Sequence, residues 1–332
     1  MELPSISIVI PTRNSEKTLE RCLLSIVEQN YPKKKVKLMI IDAFSSDKTV
    51  KIAKGFGAEV WVNQRITGEA GKAVGAMIAN GEIVAFIDSD NVLTSKDWLM
   101  KMIEPLKNDA DVVASEPVYY GYSLKEPVII RYCSLIGADD PISVYFGFYG
   151  RYSYLTRKWT SIPLHMHDNG SYYKVTLDSG IIPTMGANGF LIRAYALKKT
   201  KYYQYLFDID IVYDLINLGF NKFARVNTSI FHLYAFSFTQ YIKKTYRRIR
   251  DYYKYHGMGL RKYPWTKFSR IKLLKFLLGV LVVFPITRDA IKGYKRKPDT
   301  AWFLHWFICF LTVSVYGMKE FLSGFYLLRK KA

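Results

Sequence analysis

Cysteine is scarce in this chain. Its 332 residues hold three, Cys22, Cys133 and Cys309, scattered and odd in number. Neither a disulfide framework nor a thiolate metal site has the spacing it needs, and a reducing compartment is the simpler setting. A secretory leader is not expected either, because Ile6–Ile10 is too short an apolar run and no basic stretch precedes it. No G-x-G-x-x-G follows the first apolar segment, which argues against a nicotinamide or flavin site, and the absence of G-x-x-x-x-G-K-[ST] argues against a P-loop. Acidic residues are also few: 28 Asp and Glu face 48 Lys and Arg, a formal charge of +20. That excess implies an acidic partner, whether nucleic acid, anionic lipid or a phosphorylated substrate. Disorder is excluded by an apolar fraction of 50% and an aromatic fraction of 16%, with 26 tyrosines. The length suits one large domain with an appendage, or two domains.

What the sequence does contain is an alternation of strand and helix patterns. Ser5–Pro11 reads as a buried strand stopped by Pro11, followed by the polar turn Thr12-Arg13-Asn14-Ser15. Asn14 or Ser15 caps a helix on which Leu19, Leu23, Ile26 and Val27 share a face; such a helix start serves as a phosphate or ribose site as readily as a plain cap. Val36–Asp42 is a second strand ending on an acid able to accept from a nucleobase imide or a ribose hydroxyl. Ser45-Ser46-Asp47 opens the next helix, with Asp47 as its cap. Ala58–Val62 is a third strand. Gly68 begins a third helix with Lys72 near its start, either exposed or meeting a diphosphate. The pattern centres on the stretch from Glu82 to Asn91. There Ile83–Asp88 reads as a buried fourth strand ending on a carboxylate, and Asp90 follows. Strand C-termini in a parallel α/β sheet face the ligand crevice. Two carboxylates there can hold Mg2+ or Mn2+ beside a substrate's phosphates. The same Asp, Ser, Asp and Asn also favour a capping turn. The order β-α-β-α-β-α-β argues for an α/β fold, a mostly parallel sheet with helices on both faces.

These segments resemble a known family. Ser7-Ile-Val-Ile-Pro11-Thr-Arg-Asn14, Ile40-Ile-Asp42, Ser45-Ser-Asp47-Lys-Thr49 and Phe86-Ile-Asp88-Ser-Asp90 are similar to the motifs of family 2 glycosyltransferases of the GT-A fold, a Rossmann-like α/β architecture, over residues 5 to 235. The resemblance implies a nucleotide-diphosphate-sugar donor of UDP or GDP type, a divalent Mg2+ or Mn2+, and inversion at the anomeric carbon. It assigns Pro11, Asp42 and Asp88 to the nucleoside pocket, with Thr12, Arg13 and Asn14 on the same donor-side turn. It assigns Asp90 to the metal that bridges the diphosphate, with Asp88 and His232 as the other metal-side residues. The negative charge that develops on a departing diphosphate needs a Lewis acid; Lys72 or Arg13 can add charge.

On the acceptor side, Thr184–Arg193 resembles the family's glycine-containing segment. Gly189 lets backbone approach a ligand or take positive φ, and Asn188 either donates to a sugar hydroxyl or belongs to a tight turn before a strand at 190–192. Asp208, Asp210 and Gly219 fit the family's spacing around its catalytic acid, although Phe207 stands where the family has Glu. Asp208 is then the candidate base for an acceptor hydroxyl, or an N-cap with favourable first-turn charge. Asp210 lies on the acceptor side. His232 faces metal or diphosphate, or packs in the core. The Tyr-rich stretch from Glu116 to Tyr173 is read only as an insert shaping the acceptor side, with Arg131 as a possible phosphate clamp. His165 and His167 lack the further ligands a zinc site needs.

The C-terminal third has a different composition. From Thr239 to Lys275 twelve Lys and Arg face the single acid Asp251, and Ile242, Tyr246, Ile249 and Tyr253 recur at helical spacing. That is the pattern of an amphipathic helix lying on an anionic membrane, and a nucleic acid is not expected as partner. Phe276–Ile286 is uninterruptedly apolar but carries Pro285; Ala301–Met318, extended by Phe321–Leu328, reaches the roughly 20 residues a spanning helix needs. A hairpin puts the basic segment before Phe276 and the tail Arg329–Lys331 in the cytosol, but leaves the five basic residues of the loop Arg288–Thr300 outside. A re-entrant first segment relieves that conflict. The hairpin is the expectation adopted. The chain is thus expected to divide into a GT-A domain (1–235), a basic membrane-interface segment (236–271) and a membrane-associated helical hairpin (272–332). Its expected activity is transfer of a sugar from a nucleotide donor to a lipid-linked acceptor at the cytosolic face of the cell membrane. The acceptor is the hydroxyl of a lipid-linked glycan, or alternatively a polyprenyl phosphate. A non-catalytic nucleotide-sugar-binding membrane subunit is the competing expectation.

Overall fold

The computed structural model describes residues 2–202, 204–263 and 269–317. Its contacts divide the chain into two compact units, residues 1–121 with 162–233 and residues 122–161 with 234–332. The segment 122–161, expected inside the first domain, clusters with the C-terminal part.

The first unit opens with β1 (Ile6–Thr12), α1 (Glu16–Val27), β2 (Val36–Asp42), α2 (Thr49–Gly55), β3 (Glu59–Val62), α3 (Gly68–Ile78) and β4 (Ile83–Phe86). The four strands lie in the order β3-β2-β1-β4, all parallel. Alternation along β1 puts helices on both faces. Ile8 and Ile10 join a core cluster with Leu19 and Leu23 of α1. Val9 faces α3, where Gly75 permits an approach so close that a Cβ would lie 2.1 Å from Cγ1 of Val9. Each such fully buried aliphatic side chain contributes about 1.5–3 kcal/mol.

Two local expectations are corrected here. Pro11 does not stop β1, which continues to Thr12 with Pro11 opposite Ile41. The β1–β4 ladder ends at Val9, and odd-numbered β1 residues face that side, so the N–H that Pro11 lacks interrupts no ladder bond. Conversely, β4 ends at Phe86, so Asp88 and Asp90 stand on a turn beyond the strand rather than on its last residue. The Asp88 N–H donates to Oδ1 of Asn91 at 2.9 Å, and Asn91 N–H returns a bond to the Asp88 carbonyl at 2.9 Å. The side chain of Asn91 thereby takes over a backbone group that a longer strand would have paired.

The chain continues with β5 (Asn91–Leu93), α4 (Trp98–Asn108) and β6 (Ala114–Tyr120), then α5 (Val128–Ile136) and α6 (Pro141–Phe146) of the second unit. It returns to the first unit as β7 (His165–Asp168), β8 (Tyr172–Thr176), β9 (Phe190–Arg193), α7 (Ala194–Leu197), α8 (Asp208–Asn217) and β10 (Lys222–His232). These strands extend the sheet as β4-β9-β6-β10-β8-β7, with β5 paired to β10. β9 is antiparallel to both β4 and β6, while β6 and β10 are parallel. The sheet is parallel through its first half and mixed beyond, because the strand-helix alternation that imposes parallel pairing stops at β4. His165 and His167 lie exposed on β7, at the sheet's edge.

The second unit holds α5, α6, α9 (Phe238–Gly257), α10 (Arg270–Val282) and α11 (Phe284–Arg296). Much of the tyrosine content packs here: Tyr132, Tyr149 and Tyr241 share a core with Trp302 and Ile308. Their hydroxyls are matched rather than stranded, as buried polar groups must be. Tyr132 and Tyr145 bond the two ring nitrogens of His305 at 2.7 and 2.9 Å. On α9 the stripe packed in the protein is Tyr241, Thr245 and Ile249, and Tyr246 and Tyr253, expected at a membrane, are exposed with the basic residues. The apolar stretch Phe276–Ile286 is divided between two helices by a break at Val283, whose φ is +68°. One described helix, Thr300–Gly317, is long and apolar enough to cross a membrane. Phe321–Leu328 and the basic tail Arg329–Lys331 lie outside the described residues.

Candidate functional site

The C-terminal ends of β1 and β2 are stitched together by side chains. The Asp42 carboxylate is 6% exposed and accepts from Thr12 Oγ1 at 2.8 Å, Ser45 Oγ at 2.6 Å and Ser45 N–H at 2.9 Å. A carboxylate has about four acceptor positions, so one remains for a nucleobase or ribose donor. Asn14, at φ +49°, receives Ser46 N–H on Oδ1 at 2.9 Å and sends its own N–H to Ser45 Oγ at 2.8 Å. Asp47 takes the N–H groups of Glu16 at 3.1 Å and Thr49 at 2.9 Å. Asn14 and Asp47 therefore hold the two strand-end turns in register, and the exposed Arg13 is left facing solvent beside them. Pro11 touches the start of α3, where a Cβ on Gly71 would lie 2.9 Å from Pro11 Cβ.

That close approach brings Lys72 into the site. Its ammonium lies 2.8 Å from Asp208 Oδ1 and 3.2 Å from Asp88 Oδ1, on a residue 6% exposed. Burial alone lowers the pKa of an ammonium, but Asp208 and Asp88 outweigh it and keep Lys72 charged. Asp208 begins α8 and has a third of its side chain exposed. Burial, reinforced by the negative charge of Asp88, pushes its carboxyl up to about 6 against the pull of Lys72. Asp90 and His232 form a second pair, with Oδ1 and Nε2 3.6 Å apart. The main chain fixes them together, since Leu233 N–H donates to the Asp90 carbonyl at 2.8 Å. Among the described residues no three His, Cys, Asp or Glu side chains converge on one point. Asp90 and His232 together suit a hard dication that takes the rest of its shell from phosphate and water. Asp88 is turned to Lys72 instead.

The acceptor-side segment packs beneath this centre. Asn188, at φ +53° and 6% exposed, accepts from Asn91 Nδ2 at 2.9 Å and donates to Tyr120 Oη at 3.3 Å, and the Tyr120 ring lies 5.7 Å from that of His232. Asn188 thus braces the Asp88–Asp90 turn. Gly189 is required because a Cβ would meet Trp98 and Ile230 at 2.9 Å. Gly186, at φ +101°, lies against the start of α8, where a Cβ would come within 2.3 Å of the Asp208 carbonyl oxygen. Gly186 N–H donates to Glu116 Oε1 at 3.1 Å, and Glu116 is paired with Arg225 in a fully buried ion pair. Asp210 is buried in the first turn of α8. Phe207, in the family's Glu position, is buried and stacks on Tyr205. Arg131 belongs to the second unit, where it grips Asp299 through Nε at 2.9 Å and Nη2 at 3.2 Å and the Glu126 carbonyl through Nη1 at 2.9 Å. The capping turn expected of Asp88, Ser89, Asp90 and Asn91 is present, closed by the Asn91 side chain. Tyr120, Glu116 and Arg225 have no local signature, and nothing in the sequence ties Glu116 to Arg225.

Comparison with known proteins follows the same line. The profile of Glycosyl transferase family 2 matches residues 7–178. The glycosyltransferase AglE of Haloferax volcanii is 32% identical over 110 residues, which are 31% of this chain and 36% of that protein. A dolichyl N-acetyl-alpha-D-glucosaminyl phosphate 3-beta-D-2,3-diacetamido-2,3-dideoxy-beta-D-glucuronosyltransferase of Methanococcus voltae is 45% identical over 49 residues, 15% of either chain. The chain thus spans about a third of the first relative's length and less of the second's. Among solved structures, the mannosyltransferase PcManGT from Pyrobaculum calidifontis, in complex with GDP-Man and Mn2+, superposes with a TM-score of 0.53 at 14% identity, over 95% of this chain and 87% of that one. With just over half of its residues matched by that profile, the chain belongs to glycosyl transferase family 2, on the GT-A fold.

Proposed function

We propose that this chain is an inverting glycosyltransferase that moves a sugar from a UDP- or GDP-sugar to a hydroxyl of a lipid-linked glycan, at the cytosolic face of the cell membrane. The observation that carries the proposal is the placement of the Asp208 carboxylate at the start of α8, one third exposed and 2.8 Å from the Lys72 ammonium, which also lies 3.2 Å from Asp88. Burial and the Asp88 charge push that carboxyl up to about 6, so it is mostly ionised at neutral pH yet still able to take a proton. Asp208 removes the proton from the acceptor hydroxyl as the new oxygen–C1 bond forms and the bond from C1 to the diphosphate oxygen breaks, and displacement from the opposite face inverts the carbon. Asp42 accepts from the nucleoside through its remaining acceptor position, and Lys72 supplies fixed positive charge near the diphosphate. Asp90 and His232 would hold a Mg2+ or Mn2+, which would supply Lewis acidity for the diphosphate leaving group.

Support for the lipid-linked acceptor comes from the same chain. It carries a helix of membrane-crossing length and composition, Thr300–Gly317, and the basic helix α9. One relative carries a dolichyl-linked acceptor in its name. A phosphate acceptor is already anionic and needs cationic clamps rather than a base; the candidate clamp Arg131 is taken up by Asp299, which favours the hydroxyl. The competing non-catalytic reading drew on Phe207. The test is transfer of radiolabel from a panel of nucleotide sugars into a lipid extract, using the purified full chain with Mn2+. One donor is expected to label the lipid, with loss of labelling in Asp90→Ala. Nucleotide binding without turnover of any donor overturns the catalytic assignment.

A further inference from the structure

We propose that the corner between α10 and α11 is a wedge that enters one leaflet of an anionic bilayer and leaves by the same face. This deepens the membrane part of the proposed function and rests on it. The first observation is exposure. Leu281, Val282, Val283 and Phe284 are consecutive and apolar, with Leu281 77%, Val282 63% and Phe284 70% exposed. Leu273, Leu274 and Leu278 continue the surface along α10. A water-facing corner gains nothing from such a patch, whereas hydrocarbon does.

The second observation is that side chains reach into the break in the backbone and take up carbonyls there. A helix interrupted at Val283 releases carbonyls that water normally solvates, and hydrocarbon leaves no such partner. Here the Val280 carbonyl accepts from Trp306 Nε1 at 2.9 Å, and the Val283 carbonyl accepts from Thr287 Oγ1 at 3.1 Å. The Val283 N–H itself donates to the Gly279 carbonyl at 3.1 Å. Pro285, in the first turn of α11, has no N–H to satisfy.

Length and charge then decide between entering and crossing. α10 has 13 residues, about 20 Å of helix, against a hydrocarbon core of about 30 Å. Lys272 and Lys275 are exposed on the descending arm, and Arg288, Lys292 and Lys295 on the ascending one. Both sets therefore meet headgroup phosphates. α11 returns with its small residues inward, since a Cβ on Gly293 would meet Trp302 at 2.5 Å. A wedge also removes the charge conflict of a hairpin, because the basic loop 288–300 stays on the same side as the basic helix α9.

Cys22, Cys133 and Cys309 are all buried, so single cysteines introduced at exposed positions of the full chain are labelled selectively. In inverted membrane vesicles from expressing cells, K243C on α9 and K295C on α11 are expected to react equally with a membrane-impermeant maleimide. Reaction of only one of them, or of neither, overturns the wedge. An environment-sensitive fluorophore on L281C is expected to be quenched by lipids carrying a nitroxide on the acyl chain, and the same fluorophore on K295C is not. A water-like, unquenched signal at position 281 also overturns it. Release of UDP or GDP from nucleotide sugar is followed in the same vesicles. Lost turnover with the labelling intact counts against glycosyl transfer alone, and intact turnover with failed labelling counts against the wedge alone.

Discussion

Lys72 holds Asp208 by a contact of 2.8 Å while itself 6% exposed. Two opposing effects meet in that contact. Burial and the Asp88 charge push the Asp208 carboxyl up to about 6, and Lys72 restrains it from rising further. If Asp208 is the base, activity requires its ionised form, so kcat/KM falls as pH drops through about 6 and is flat on the neutral side until another group titrates. Lys72→Met removes the restraint, so the acid limb moves to higher pH, and donor affinity weakens because a fixed positive charge is gone. The measurement is the pH profile of kcat/KM for both proteins. An acid limb unchanged in position in Lys72→Met separates Asp208 from the limb.

Asp208→Asn keeps the shape and much of the hydrogen bonding of the side chain but cannot take a proton. With a hydroxyl acceptor, kcat is expected to fall by about 10²–10⁴ with little change in the KM for donor. A phosphate acceptor is already deprotonated and keeps most of its turnover. Steady-state transfer to lipid extract, with donor hydrolysis followed separately, distinguishes the two, and near-normal kcat in Asp208→Asn shifts the assignment to the phosphate.

The proposed metal dependence rests on Asp90 and His232, 3.6 Å apart on a turn and a strand end that the Leu233 N–H ties together. Chelation with EDTA is expected to abolish transfer, and Mn2+ or Mg2+ to restore it. His232→Ala removes one of the two proposed protein ligands, so the Mn2+ concentration for half-activity is expected to rise while activity at saturating Mn2+ partly persists. Asp90→Ala leaves only the imidazole and is not rescued. Titration of Mn2+ by electron paramagnetic resonance in the presence of UDP or GDP reads the same order without turnover. Equal Mn2+ affinity in all three proteins removes Asp90 and His232 from the cation site.

What could be read in the sequence had a local signature. Asp42 and Asp88 each close an apolar run, and the alternation of such runs with helical spacings places both at one end of a parallel sheet. The rest depends on partners distant along the chain. Asn14 looks like a helix cap, but its amide is used across the sheet on Ser46, 32 residues away. Pro285 gave warning of an interrupted helix, yet the break falls two residues earlier at Val283, where side-chain chemistry gives no sign. The stripe of α9 that packs in the protein, Tyr241, Thr245 and Ile249, lies beside the one expected at the membrane, and because tyrosine suits both core and interface the periodicity alone does not single it out. The Tyr-rich composition marks Glu116–Tyr173 as an insert but not where it packs, and only packing assigns its residues 122–161 to the second unit.

The buried pair Glu116–Arg225 makes the sharpest separation between fold and chemistry. Glu116 bonds Arg225 and the Gly186 N–H at once, and Gly186 lies against the Asp208 backbone. Glu116→Gln keeps an acceptor for Gly186 but leaves the Arg225 charge uncompensated in the core, which costs about 3–5 kcal/mol. The melting temperature is then expected to fall by roughly 10 °C. Replacing both partners, as Glu116→Leu with Arg225→Met, removes the stranded charge and is expected to recover most of that loss. It also removes the acceptor for Gly186 that Glu116→Gln keeps, so the loop beside Asp208 loosens and kcat falls in a protein that melts nearly as the parent does. Thermal unfolding and transfer kinetics on the three proteins test this. Full activity in the double variant would mean that Glu116 serves stability alone and does not position the Asp208 carboxylate.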